Sequence, residues 1–533
     1  MSTENETVIA TPTQVVKPTG GKKLTIASKT PVPWKPYQRV LFRIAFVFFL
    51  IMSLPFTAAW YKTLFTIDWF NLHYRDLYDL TLYSPSIYRF SNPAYNLLGY
   101  IDWVEALAIG IAGGLVWSAI DNKNKSYDRL YYWLRVIVRY RAAIGIIGFG
   151  FTKFLPVQLP YPSLGILNTN FGDITAQKIY WLQVGIVPWY EIFAGVVEVA
   201  AGALLFFRRT TLLGSVLLFG ALADITFVNF SYNGGVHVYA SFFVLTSSFL
   251  IIYDVPKIYS LLVLEKYTIP QNFYPDLSAK WIKYIRIGVK TGFIYVFLIL
   301  FFYLQFINWK YDPYKQPSTS GVKTLRGNYN VTEFKINNHE IPYNPQDSVR
   351  WSAVTFEKWS TLTYKVNKPV WLDLSNGGGA PMRDINRTFE LSGVGGGQRV
   401  FYYDADTVNH TLYLQDKNKR ALGSGGVRGK NAVLKHKKEV NQNWIPKEAL
   451  ANIRDENTAI NKIAQSTRRT RGIAAEKKDP FKRDHMILTY STTDGSHVIL
   501  KGINEKKDSI YVVLDRINKP YALTPSKLQA GSY

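Results

Sequence analysis

Residues 39–308 hold nearly all the long apolar runs of this 533-residue chain, and that partition constrains its fold more than any other feature. A bilayer span needs about 20 mostly apolar residues, because every backbone polar group within it has to be satisfied inside a helix. Runs of that kind predict helices near 39–61, 101–120, 132–155, 186–207, 210–230, 236–253 and 287–308. The second starts with Asp102 and Glu105 and is the shortest signal. Residues 309–533 read as ordinary water-exposed protein, rich in Lys, Asn, Gly and Asp. The expected fold class is therefore an α-helical polytopic membrane protein with a β-rich extramembrane C-terminal domain.

Charge sets the expected orientation. Lys22, Lys23, Lys29, Lys35 and Arg39 precede the first run; Lys123, Lys125 and Arg129 follow the second; Arg208 and Arg209 follow the fourth. Lys257, Lys266, Lys280, Lys283 and Arg286 precede the seventh, whereas 156–185 offers only Lys178 and 231–235 no cation. Every other connection is basic, which predicts a cytoplasmic N-terminus and, after seven crossings, a C-terminal domain outside the cytoplasm. The first run lacks a cleavage site and is expected to act as an uncleaved anchor.

The net charge of +24 does not by itself mean nucleic acid, and no zinc-finger spacing, RNP-type strand or basic-plus-heptad pattern accompanies it. Basic surface beside a bilayer is instead attracted to anionic headgroups, so membrane lipid and other envelope proteins are the expected partners. There is no cysteine, which excludes disulfides, thiolate catalysis and Cys-ligated metal or Fe–S sites, and no metal centre is expected.

Ionisable groups at bilayer depth are costly and usually face a bundle interior. Glu191, Gly195, Glu198 and Gly202 recur at spacings of four, three and four, which puts them on one helix face. From a rise of about 1.5 Å per residue, Glu191 lies roughly 5 Å and Glu198 roughly 15 Å inside the boundary nearer the C-terminal domain, with Asp224 about 10 Å in. Lys153 and His237 fall at that rim. With Asn229 these residues predict a polar bundle pocket: Lys153, Glu191, Glu198, Asp224, Asn229 and His237. For Lys153 the alternative is a side chain that snorkels to headgroups, and for His237 an interfacial hydrogen bond.

The stretch 141–256 resembles the DoxX family of small four-helix membrane proteins. The resemblance is carried by the run Gly148 to Pro160 (GFGFTKFLPVQLP), Gly172-Asp173, the segment Tyr190 to Gly202 with the closing Arg208-Arg209-Thr210-Thr211, Asn229-Phe230 and Asp254. One departure is Asn233 to His237, where relatives carry an Asp-Val-Pro-Val-Lys type of stretch. The resemblance implies a four-helix bundle at 132–256, with about three extra helices around it, and gives Gly172, Asp173, Arg208 and Arg209 as family-motif positions. It further implies a longer bacterial envelope form, associated with oxidoreductases or quinone-linked sulfur chemistry, so quinone is the cofactor to consider. The leading expectation is an accessory or partner-binding membrane subunit; the alternatives are a quinone-linked subunit and a small-solute or proton pathway.

The remaining divisions follow. Residues 1–38 are a polar tail, 39–131 two helices and an outer loop, and 257–308 a basic loop and the last helix. Within 309–533, strands are expected at 330–336, 349–356, 361–366, 486–490, 498–500 and 509–515, with Asp494-Gly495 as a hairpin turn. The Gly377, Gly395 and Gly423 clusters lack a strand–Gly-Lys-Ser/Thr–helix context and are expected to be flexible loops rather than phosphate cradles. The basic insert 428–485 is expected to hold one exposed helix over 446–465.

Overall fold

The computed structural model describes residues 34–83, 97–121, 123–124, 126–268, 272–277, 279–313, 315–378, 382–418, 444–466 and 483–525. Most of the N-terminal tail, the Gly423 cluster and most of the basic insert lie outside the described residues. All seven expected segments are helical: α1 (Pro36–Ser53), α4 (Ile101–Ile120), α5 (Asp128–Phe154), α8 (Pro188–Leu205), α9 (Thr211–Ser231), α10 (His237–Ile252) and α12 (Lys280–Tyr311). Shorter helices complete the set: α2 (Ala58–Thr66), α3 (Tyr74–Thr81), α6 (Leu164–Leu167), α7 (Ala176–Gly185) and α11 (Val255–Leu262).

Five of these helices are long and apolar enough to cross a membrane, and six if α10 and α11, bent by 67° at residues 253–254, form one span. The chain is thus multi-pass. The remaining expected span, α5, is 27 residues long but carries Arg135, Arg139, Arg141 and Lys153 along its length. The first helix ends eight residues before the expected boundary. Pro55 disfavours helix at the residue before it, and Leu54 is extended (φ −106°, ψ 144°).

The four basic segments share one end of the bundle. Arg39 donates to the Asn124 carbonyl, Arg139 to Thr211 Oγ1, and Arg135 reaches Asp254. The opposite end meets the C-terminal domain, a closed antiparallel barrel of eight strands. These are β1 (Gly327–Ile336), β3 (Ala353–Phe356), β4 (Thr361–Lys365), β5 (Gln398–Asp406), β6 (Thr411–Asp416), β7 (His485–Ser491), β8 (His497–Ile503) and β9 (Ser509–Ile517). A two-residue strand, β2 (His339–Glu340), pairs with the end of β1. Closure comes from β1 against β9, with Val331 opposite Leu514 and a bulge before Glu333. Eight strands leave an interior just wide enough for side chains to fill, and Tyr329, Phe334, Phe356, Phe401, Tyr403 and Leu514 are among those that fill it.

Two strands carry little alternation in sequence, β5 and β6, because both of their faces are covered. Tyr413 on the outer face packs against Ile445, Ala449 and Ile453. The single helix expected over 446–465 is replaced by α13 (Lys447–Asn452), α14 (Glu456–Ala459) and a 3-10 turn. Asp455 and Asn461 accept backbone N–H groups two residues on and restart the chain each time. The described glycine clusters are built turns, not loose loops: Gly397 (φ +78°) accepts the Val366 N–H, and a Cβ there would lie 1.8 Å from the Val366 carbonyl oxygen.

Candidate functional site at the bundle–barrel junction

Small residues let α5 and α8 touch backbone to backbone. A Cβ on Gly195 would lie 2.3 Å from the Phe154 nitrogen and 2.7 Å from the Gly150 oxygen, and one on Gly202 would meet Ile147 at 2.6 Å. The same contacts show that the helices are not flush. Gly195 is level with Phe154, the last residue of α5, so the first two turns of α8 project past it toward the barrel. Glu198 is consequently level with Gly150, about 6 Å from the end of α5. That corrects the depth read from α8 alone.

The displacement brings Lys153 onto Glu198. Its Nζ lies 2.8 Å from each carboxylate oxygen, and the Glu198 side chain is 2% exposed. Lys153 therefore turns inward. Glu191, also buried, accepts the backbone N–H groups of Gln158 and Leu159 (both 3.2 Å), just after Pro156 ends the polypeptide's exit from α5. Of the expected pocket, these three residues are brought together.

The other predicted residues do separate work. Asn229 donates to the Ile225 carbonyl (2.7 Å) and packs its Oδ1 against Gly234, where a Cβ would lie at 2.0 Å, so it shapes the α9–α10 turn. His237 sits 2.8 Å from the Leu98 carbonyl oxygen, against the rings of Phe230 and Tyr100, and ties that turn to the start of α4. Asp224 is exposed on α9, and its charge bears on the Tyr180 phenol of α7, which burial raises to about 12. Asp173 meets the barrel: the Gly395 N–H donates to its carbonyl and Lys365 Nζ lies 3.9 Å from its carboxylate, beside Gly172. Arg208 and Arg209 are exposed at the opposite end.

What the sequence reading missed is a second tier of buried charge that joins the 156–187 connection to the barrel. Glu357 accepts the N–H groups of Leu164 (3.1 Å) and Gly165 (2.7 Å) at the start of α6. Burial pushes this carboxyl up to about 7 despite those bonds. Lys178 is completely buried; its Nζ donates to the Phe389 carbonyl (2.5 Å) and stands 3.5 Å from the Phe389 ring centroid. Burial, with Lys315 nearby, holds the Lys178 ammonium well below the usual lysine range. Lys315 itself donates to the Asn376 carbonyl (2.5 Å) near the Trp181 ring, and burial lowers it to about 8.

A buried ion pair and a buried cluster of one cation with two acids also lie at the junction. Lys417 Nζ lies 3.0 Å from both Glu390 oxygens, and Trp359 Nε1 donates to the same carboxylate at 2.6 Å. Arg387, 1% exposed, holds Asp312 at 2.6 Å and Asp384 at 3.7 Å, while Asp384 accepts the Ser318 and Thr319 N–H groups. Asp312 directly follows α12, so this cluster fixes the point where the last helix hands over to the barrel. The one local signal for the second tier was the density of charge beside Phe389, with Arg383, Asp384, Arg387 and Glu390 falling within eight residues. Nothing local distinguished those positions from solvated surface.

Glu357 gives this junction a pH signature. Its folded value, about 7, lies above the ordinary carboxyl value of 4.5. Its contribution is therefore fully present below about 4.5 and is lost as pH rises through 7, a change of about 3 kcal/mol. Thermal unfolding of the wild type and of Glu357→Gln at pH 5 and 7.5 checks this. The wild type should lose ground to the variant at the higher pH, and parallel profiles would refute the assignment.

No family model matches the chain, and no curated protein or solved structure is significantly similar to it.

Proposed function

We propose that this chain is a DoxX-like subunit of a bacterial inner membrane, with its N-terminus cytoplasmic and its barrel periplasmic, that serves an envelope complex as an accessory, partner-binding component. The observation that carries this reading is how the buried charges of the candidate site are used. Lys153 with Glu198, Lys417 with Glu390, and Arg387 with Asp312 are consumed by each other at 2.6–3.0 Å. Glu191 and Glu357 are consumed by backbone N–H groups. Groups committed in this way fix geometry, and two of them join the barrel to the helical bundle: Glu357 through Leu164 and Gly165, and Arg387 through Asp312.

The barrel interior is filled by its own side chains, so a partner is met by its surface. The clustering of basic segments at the bundle end opposite the barrel supports the orientation, since positive connections are retained in the cytoplasm. Extraction of native membranes into polymer nanodiscs, followed by mass photometry, tests the function. The chain should run in a particle well above its own 60.9 kDa with defined companions. A solitary particle carrying stoichiometric bound quinone would overturn the reading in favour of a redox subunit.

A further inference from the structure

At the bundle end opposite the barrel, a cleft of about 400 Å³ opens between α5, the α8–α9 turn, the α10–α11 bend and the segment that includes Thr268, Asn272 and Tyr274. Its walls carry five cations, Arg135, Arg139, Arg208, Arg209 and Lys257, against a single carboxylate, Asp254. That carboxylate is already shared, with Lys257 Nζ at 2.6 Å and Arg135 Nη2 at 3.8 Å. Among the described residues that line the cleft, five cations against one acid leave four positive charges uncompensated. Aromatic faces hold two of the guanidinium groups in place, Arg135 at 3.6 Å from the Tyr253 centroid and Arg208 at 4.1 Å from that of Tyr274. The Nε atoms of Arg135 and Arg139 are buried and lack a hydrogen-bond partner among the described residues.

Like charges held this close repel one another, and buried donors without acceptors cost free energy. An arrangement with both features is completed by a polyvalent anion. Guanidinium groups suit phosphate oxygens because they offer paired donors to one group.

The surroundings select the kind of phosphate. Val136, Leu212, Ile258 and Leu261 line the same cleft, which lies where the helices of the bundle end. Beside it, α11 turns away from α10 at 67° with Tyr259, Leu261 and Leu262 exposed, as a helix lying along a membrane surface would. We propose that the cleft binds the phosphate of an anionic phospholipid headgroup, the cationic wall taking the phosphate and the apolar wall the glycerol and first methylenes. Basic pockets between helices at the positive end of a membrane protein are suited to this role.

The test uses the full chain in nanodiscs of phosphatidylcholine alone or with phosphatidylglycerol, and reads lipids retained after ejection by native mass spectrometry. Phosphatidylglycerol should be retained over phosphatidylcholine by about tenfold, and Arg208→Gln with Arg209→Gln should abolish most of that preference. Asp254→Asn removes the opposing charge and should raise retention, an outcome that a misfolded chain cannot give. Inorganic phosphate, added to detergent-solubilised protein, separates the sources. Competition only at millimolar concentration agrees with a lipid site. Tight binding of inorganic phosphate with no lipid preference, or no preference among lipids and no phosphate binding, overturns the proposal.

Discussion

Replacing Glu198 with alanine should destabilise the helical bundle by about 3 kcal/mol, and replacing both members of the pair (Lys153→Met, Glu198→Leu) should restore most of the loss. Removing one partner of a buried ion pair leaves the other charge uncompensated, which typically costs about 3–5 kcal/mol, whereas a hydrophobic pair of similar volume is often tolerated. Here Lys153 lies one residue from the end of α5, so its stem can swing toward the boundary and relieve part of the cost. That sets the expectation at the lower end of the range. Reversible unfolding in bicelles reads both variants. A single variant within about 0.5 kcal/mol of the wild type would mean that the pair does not hold α5 to α8.

Arg387→Leu should act further from the membrane and with at least equal force. Arg387 neutralises Asp312 and Asp384, both buried, and also donates to the Pro313 and Gln316 carbonyl groups. Without it two carboxylates remain in a dry site, and the cost is about 3–5 kcal/mol. Because Asp312 follows α12 directly, the effect is local before it is global: the barrel should loosen on its stalk while α12 stays helical. A distance distribution between one spin label on the bundle and one on the barrel should therefore broaden in this variant.

The membrane half was legible because the bilayer imposes one simple rule on about 20 residues at a time. The segment 101–120 was read to the residue, although Asp102 and Glu105 weaken its signal. The first helix was overextended because apolarity continues past Pro55, and backbone chemistry rather than hydropathy ends it. In the barrel, β1, β3 and β4 were visible through alternation, and β7, β8 and β9 as a meander with a turn at Asp494-Gly495. Both β5 and β6 were not singled out, since residues such as Phe401, Tyr402 and Tyr403 are all buried and period two is lost.

The candidate site was legible in part for a different reason. The Glu191, Gly195, Glu198 and Gly202 stripe is local to one helix, so its face can be read from spacing. Its partner Lys153 lies 45 residues away, and the choice between pairing and snorkelling depended on how far α8 is displaced along α5, which no spacing encodes. The same holds for Glu357, which meets Leu164 and Gly165 across almost 200 residues. It also holds for the cationic cleft, where Arg139 and Thr211 meet. Arg208 and Arg209 were read as topology signals, and what they face is set entirely by packing.

Buried charges at the junction, Glu357 against Leu164 and Gly165 and Arg387 against Asp312, hold bundle and barrel as one rigid body. The chain has no cysteine of its own, so Ser231→Cys on α9 and Thr493→Cys in the β7–β8 connection introduce the only two labelling sites. Pulsed dipolar spectroscopy on that pair in nanodiscs should give a single narrow distance distribution in the wild-type background and a broad one with Arg387→Leu. A broad or multimodal distribution in the wild-type background would contradict the account.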